Sequence, residues 1–470
     1  MTPAVGILFS LAVMAFIAWR TRGSPLALVS IPLTLAMGEA VGLRSWGWAM
    51  PVPFVPVPLM WMDVVFFSLV AVWIVIREKR KLQPRIRPGW DLYTICIVIG
   101  VVLLEVLVAW TIDGQVSVGV LVAAREWFYV ALSILIWVDL LRRFTRAETL
   151  RLLESLAWVS VPLAAMYCLS SVGVHVYPYV GWETVQWGSG MINRDFLTFP
   201  FFIPLGLVWF ANRQSRRVVA MVCIAILAAA CVLTYTVTTI LGAIVALSIS
   251  LLVPLVARND WKGLVARLVP LSATLLLILI AMAAVAPANL SYAVQRMNAV
   301  RTGQSNGNLQ LRLDWFAATA RAVKDYDSAL GFGFSGDGAR RLAVLTNGGV
   351  LLPDMQWAYV LAWLGWAGVI AVAAMYTAFV ACSARIAIGW ASAPDGLGLM
   401  LLGIALWFVC RSMAASEWLI GYPAAAGMFM AVAVLELRGA WHHERAATKQ
   451  VELASGGVFY AQPTSTRPES

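Results

Sequence analysis

Charge is scarce in this chain: Asp, Glu, Lys and Arg make up 12% of its 470 residues, against roughly a quarter in ordinary soluble domains. With 61% of the residues hydrophobic and a mean hydropathy of +0.81, the composition argues against a water-soluble fold. Histidine is rarer still. The three present, His175, His442 and His443, leave little material for a histidine-based metal centre. The six cysteines, Cys96, Cys168, Cys223, Cys231, Cys382 and Cys410, all fall inside apolar runs, so neither a disulfide framework nor a metal site is expected from them. A removed secretory leader is not expected either. The first apolar run, from Val5 to Trp19, has no positive segment before it and no small-residue cleavage pattern after it, so it reads as a retained helix. The net charge of +10 would suit nucleic acid only as a basic face on a soluble domain. Here the basic residues punctuate the apolar runs, and no nucleic-acid partner is expected.

What the chain has in abundance is apolar stretches of about 17 to 25 residues, the length that crosses a hydrocarbon core of about 30 Å. They predict an all-α, polytopic transmembrane helix bundle of about 13 crossings (12–14) with one large, partly helical periplasmic loop. The expected organisation is a bundle of ten helices over 1–287, the loop over 288–353, C-terminal transmembrane helices over 354–438, and a polar, disordered cytoplasmic tail over 439–470. If the loop holding Arg20 and Arg22 is cytoplasmic, strict alternation places 23 of the 34 Lys and Arg on that side, as the positive-inside rule requires. Among them are Arg77, Lys79 and Arg80, then Arg142, Arg143 and Arg146. Seven of the other eleven crowd into the single external segment, as Arg296, Arg301, Arg312, Arg321, Lys324, Arg340 and Arg341. That concentration runs against the rule and implies a use for cations there.

Within this loop a turn-rich stretch, Gln304 to Asn308, precedes a segment from Leu309 to Asp325 with helical spacing. Leu309, Leu313, Phe316, Ala317 and Ala320 make one apolar stripe, and Arg312 precedes Trp315 by three residues, which puts both on neighbouring faces. Next come Gly331, Gly333, Gly336 and Gly338 around Phe332, Phe334 and Asp337, a spacing that lets backbone approach a ligand closely. A dinucleotide fingerprint needs a strand before and a helix after it in a soluble unit, so that reading is rejected.

These features together resemble the O-antigen polymerase and ligase superfamily, membrane glycosyltransferases of the C fold type. The resemblance rests on the external arginine-bearing loop, the Arg-x-x-Trp pair (Arg312, Trp315), the Gly-x-Gly that follows (Gly331, Gly333), and a next helix that opens with polar residues. It extends to Gly190, Asn193 and Asp195 before the seventh helix and covers about residues 188 to 380. Similar ligases carry a histidine where this chain reads Pro353, Asp354, Met355 and Gln356, which favours the polymerase branch. Many relatives also have a Ser-Arg pair where this chain has Thr236, Val237, Thr238 and Thr239.

The resemblance implies transfer of undecaprenyl-diphosphate-linked oligosaccharide repeats to an acceptor glycan or glycolipid at the periplasmic face of the bacterial inner membrane. Membrane lipids would surround the protein, and a chain-length regulator would be a further partner. As the glycosidic bond breaks, the diphosphate leaving group gathers negative charge, and planar guanidinium groups in a water-poor site stabilise it. Such a site needs neither metal nor other cofactor, because the guanidinium groups supply the positive charge. The diphosphate is assigned to Arg301 and Arg312, with Arg194, Arg125 and Arg296 as further ligands. Trp315, Asp337 and Gln356 are assigned to the glycan. Asp354, nearest the family's histidine position, is the expected base, and direct attack would invert the anomeric centre.

Plainer roles compete at each position. External arginines such as Arg296, Arg340 and Arg341 suit snorkelling to headgroups, and Arg125 is placed to pair with Glu126. Glu39, Asp63, Glu105 and Glu417 are functional candidates because an ionisable group inside a crossing is costly, and they also suit helix packing. Most of the 22 tryptophans fit an interfacial belt. Two other functions stay open: a ligase moving lipid-linked glycan to a lipid A core, and a transporter or flippase, which would place its charges near the midplane on interrupted helices.

Overall fold

The computed structural model describes residues 3–21, 24–36, 61–80, 89–114, 118–171, 183–187, 190–194, 202–212, 217–233, 237–257, 261–285, 287–302, 306–325, 330–334, 356–388, 396–412 and 423–438. Among these lie fifteen helices: α1 (Pro3–Arg20), α2 (Leu26–Ala36), α3 (Trp61–Lys79), α4 (Trp90–Asp113), α5 (Val118–Leu141), α6 (Arg146–Ser171), α7 (Phe202–Asn212), α8 (Arg217–Leu233), α9 (Val237–Ala257), α10 (Trp261–Val285), α11 (Pro287–Arg301), α12 (Asn306–Asp325), α13 (Gln356–Ile388), α14 (Leu397–Ser412) and α15 (Pro423–Leu437). A two-stranded antiparallel hairpin, β1 (Glu183–Trp187) and β2 (Gly190–Arg194), joins the helices among the described residues, with Glu183 opposite Arg194 and Trp187 opposite Gly190.

Local chemistry sets several boundaries. α4 stops at Gly114, whose φ of 67° is the left-handed conformation that ends helices. α6 opens on a capping box, in which Glu148 N–H donates to Thr145 Oγ1 at 3.1 Å and Thr145 N–H donates to Glu148 Oε2 at 2.9 Å. The core runs through α5, α15, α13 and α4 on one side and α14, α9, α7 and α6 on the other. Trp127, Trp137, Trp407, Tyr167, Phe144, Phe408 and Phe429 are its largest fully buried side chains. α10 instead exposes Val265, Val269, Leu276, Leu277 and Ile280, an apolar face suited to lipid.

The expectation of about 13 crossings is corrected. Among the described residues only three helical segments are long and apolar enough to cross a membrane: Leu92–Thr111, Arg146–Leu169 and Gln356–Ile388. Some of the others are too short: α2 and α7, with 11 residues each, reach only about 16 Å at 1.5 Å per residue. Residues 203–211 of α7 and 426–436 of α15 are buried at every position. A run covered by protein on all sides is as apolar as one facing lipid, so hydropathy alone counts core helices as crossings. The chain is a helical protein with membrane-associating segments.

Acidic and basic side chains lock one end of the bundle. Arg80 donates to both carboxylate oxygens of Glu148 at 3.1 and 3.0 Å, and Ser24 Oγ donates to Glu148 Oε1 at 2.8 Å. Arg80 and Arg143 each donate to the other's carbonyl, Asp139 pairs with Arg142 and Arg143, and Arg20 pairs with Glu154 at 3.0 Å. Asp63, at the start of α3, stands at the opposite end of that helix from Arg80.

Candidate functional site

The elements that carry the Arg-x-x-Trp pair, the Gly-x-Gly and the next helix come together. α12 packs on α13, and Phe316, Ala320 and Val323 of α12 cluster with Phe332, Leu361 and Ala362. Between the two helices the chain makes a turn at 330–334 with Gly331 and Gly333 at φ 70° and 65°. Only glycine takes that conformation without strain. This turn lies inside the bundle: Gly331, Phe332, Gly333 and Phe334 are all buried. Its contact on α13, Ala362, is about 9 Å along the helix from Gln356.

Irregular backbone at such depth must have its polar groups satisfied by protein. α13 provides for this by kinking at Gly365 (φ 58°, ψ −159°), a common cause of a broken helical ladder. The Ala362 carbonyl, in the turn before the kink, accepts the Phe332 N–H at 2.8 Å. The approach is too close for any side chain at Gly331: a Cβ there would lie 2.6 Å from Gly365 N and 2.8 Å from the carbonyl oxygens of Leu361 and Ala362. On its other side the turn meets Glu105 of α4, whose Oε2 would lie 2.9 Å from a Cβ on Gly333.

A second polar group joins α3 to α5. Arg125 Nη1 donates to Asp63 Oδ2 at 3.0 Å, and the Tyr129 hydroxyl donates to Asp63 Oδ1 at 2.8 Å. Tyr129 stacks on Phe66 with ring centroids 4.1 Å apart. Arg125 thus takes its counter-charge from across the helix interface, whereas the side chain of Glu126 lies outside the described residues.

The remaining residues singled out from the sequence fall as follows. Arg296 and Arg301 sit on α11, and Arg194 closes β2, which packs against α11. Arg312 and Trp315 are on α12, with Trp315 half-buried. Side-chain geometry for Arg194, Arg296, Arg301 and Arg312 lies outside the described residues, as do Asp337 and Asp354 altogether. Gln356 is fully buried at the start of α13, where its Oε1 accepts the Tyr376 hydroxyl at 3.2 Å. Sequence reasoning misses Tyr129, Tyr376 and Trp363. They lie within apolar helices and carry no spacing signal of their own.

Compared with protein-family models and with curated proteins, the chain matches none.

Proposed function

We propose that the chain is a membrane glycosyltransferase that polymerises undecaprenyl-diphosphate-linked oligosaccharide repeats at the periplasmic face of the bacterial inner membrane. The observation that carries this reading is the seating of the Gly331–Gly333 turn on the kink of α13 beneath α12, because it joins in one unit the three motif-bearing elements on which the resemblance rests. Arg312 and Arg301 grip the diphosphate and stabilise its charge as it leaves, with Arg194, Arg296 and Arg125 as supporting cations. The adjacency of β2 and α11 supports grouping Arg194 with Arg296 and Arg301. Trp315 and Gln356 serve the glycan. No divalent cation enters the reaction, since guanidinium groups supply the positive charge.

The test is genetic. In a strain lacking the gene, surface glycans run on a gel should show single repeat units, and Arg312→Ala should fail to restore long chains although the protein inserts normally. Long chains in the deletion strain would refute the polymerase. Uncapped lipid A core with accumulated lipid-linked polymer would assign the ligase reaction instead.

A further inference from the structure

Glu105 lies within the segment Leu92–Thr111, about 12 Å along α4 from its last residue. It has no exposed surface, and neither carboxyl oxygen has a hydrogen-bond partner. Burying an ionisable group so deeply without a partner is costly and marks a functional position in a membrane helix. Its surroundings are unusual as well. From the turn against Glu105, a row of rings leads across the bundle: Phe334 to Trp363 at 6.0 Å between centroids, Trp363 to Tyr359 at 6.3 Å, and Tyr359 to Trp127 at 6.1 Å. Gln356, Tyr359 and Trp363 follow one another at i, i+3 and i+7, which puts them on one face of α13. The indole nitrogens of Trp363 and Trp127 and the amide nitrogen of Gln356 are buried donors without a hydrogen-bond partner.

Unused donors and an unused acceptor along aromatic faces complement a sugar, which stacks through its C–H face and both donates and accepts through its hydroxyls. A polyprenyl tail would leave those groups unsatisfied, and a phosphate would meet the carboxyl's oxygens. We propose that Glu105 and Trp363, which flank the turn, form the subsite for the acceptor sugar, that Trp127 and Gln356 hold the sugars behind it, and that Glu105, in place of Asp354, takes the proton of the attacking hydroxyl. This rests on the transferase reading. In the step, the acceptor O–H gives its proton to the Glu105 carboxylate while its oxygen bonds to the anomeric carbon of the donor. The bond from that carbon to the diphosphate oxygen breaks, and its electron pair leaves with the diphosphate. Gly333 of the turn lies against Glu105 and Phe334 against Trp363 in this structure, so admission of the sugar requires the turn to withdraw from Glu105.

The experiment uses the full chain in lipid nanodiscs, with lipid-linked repeat units extracted from the deletion strain as donor and the same oligosaccharide released from its lipid diphosphate as a separate acceptor. Glu105→Gln should lower kcat about a hundredfold or more and remove the acidic limb of the pH profile, and Glu105→Asp should restore part of the rate. Trp363→Phe should raise the acceptor KM about tenfold and leave the donor KM as it was. In the wild type, labelling of Glu105 by dicyclohexylcarbodiimide should be slowed by acceptor, a readout that needs no variant to fold. A Glu105→Gln protein with normal kcat, pH profile and acceptor KM would overturn the inference alone, as would labelling that acceptor does not slow. A wild-type protein that transfers no sugar would overturn the transferase reading, and the inference with it.

Discussion

Two glycines decide how closely the turn at 330–334 approaches α13. A left-handed conformation costs a residue with a Cβ about 1–2 kcal/mol, and at Gly331 the added atom would also strike the backbone of Leu361, Ala362 and Gly365. Backbone cannot move aside as a flexible side chain does, so Gly331→Ala should destabilise the protein by at least about 2 kcal/mol. A thermal unfolding curve of the purified variant, read beside wild type, checks this, and an unchanged midpoint would show that the turn is not held as described. At Gly333 the obstacle is the Glu105 side chain, which can yield, so the same substitution there should cost less. The glycine spacing was legible in the sequence as a place of close backbone approach. What the backbone approaches was not, because Gly365 sits in an apolar run that reads as uninterrupted helix.

Between elements, ion pairs hold helices whose apolar faces carry little directional information. Arg146 Nε donates to both oxygens of Glu436, at 3.0 and 2.9 Å, joining the start of α6 to the end of α15 across 290 residues of sequence. The two side chains are 11% and 6% exposed, so removing one leaves the other charged and buried. Arg146→Ala should therefore lower stability by about 3–5 kcal/mol, measurable as a lower unfolding temperature in detergent, and the double variant Arg146→Met with Glu436→Leu should recover much of it. A single variant as stable as wild type would remove this pair from the account. Neither partner could be matched to the other from sequence, since nothing local links them. α12, by contrast, was readable almost to its ends, because its stripe from Leu309 to Ala320 has the helical period and its flanks are turn-forming. The hairpin of β1 and β2 gave no such signal in a stretch rich in Tyr, Trp and Gly.

At the scale of the molecule, apolar composition identified the class of protein and overstated the number of crossings, for one physical reason. Hydropathy reports removal from water and does not distinguish a neighbour helix from a lipid chain, so α7 and α15 looked like crossings although protein covers them. Arg20, Arg80, Arg143 and Arg146 gather in the ion-pair networks at one end of the helices, and the Arg125–Asp63 pair stands toward the other end of α3 and α5. In the functional reading, cations of α11, α12 and β2 grip a polyprenyl diphosphate while sugar is transferred between the turn and α4.

The most direct test is turnover by the purified chain in proteoliposomes supplied with lipid-linked repeat units and no added metal. The account predicts longer lipid-linked glycans and one polyprenyl diphosphate released for each repeat joined, with Arg312→Ala inert. Intact donor and no released diphosphate from well-folded wild-type protein would contradict it.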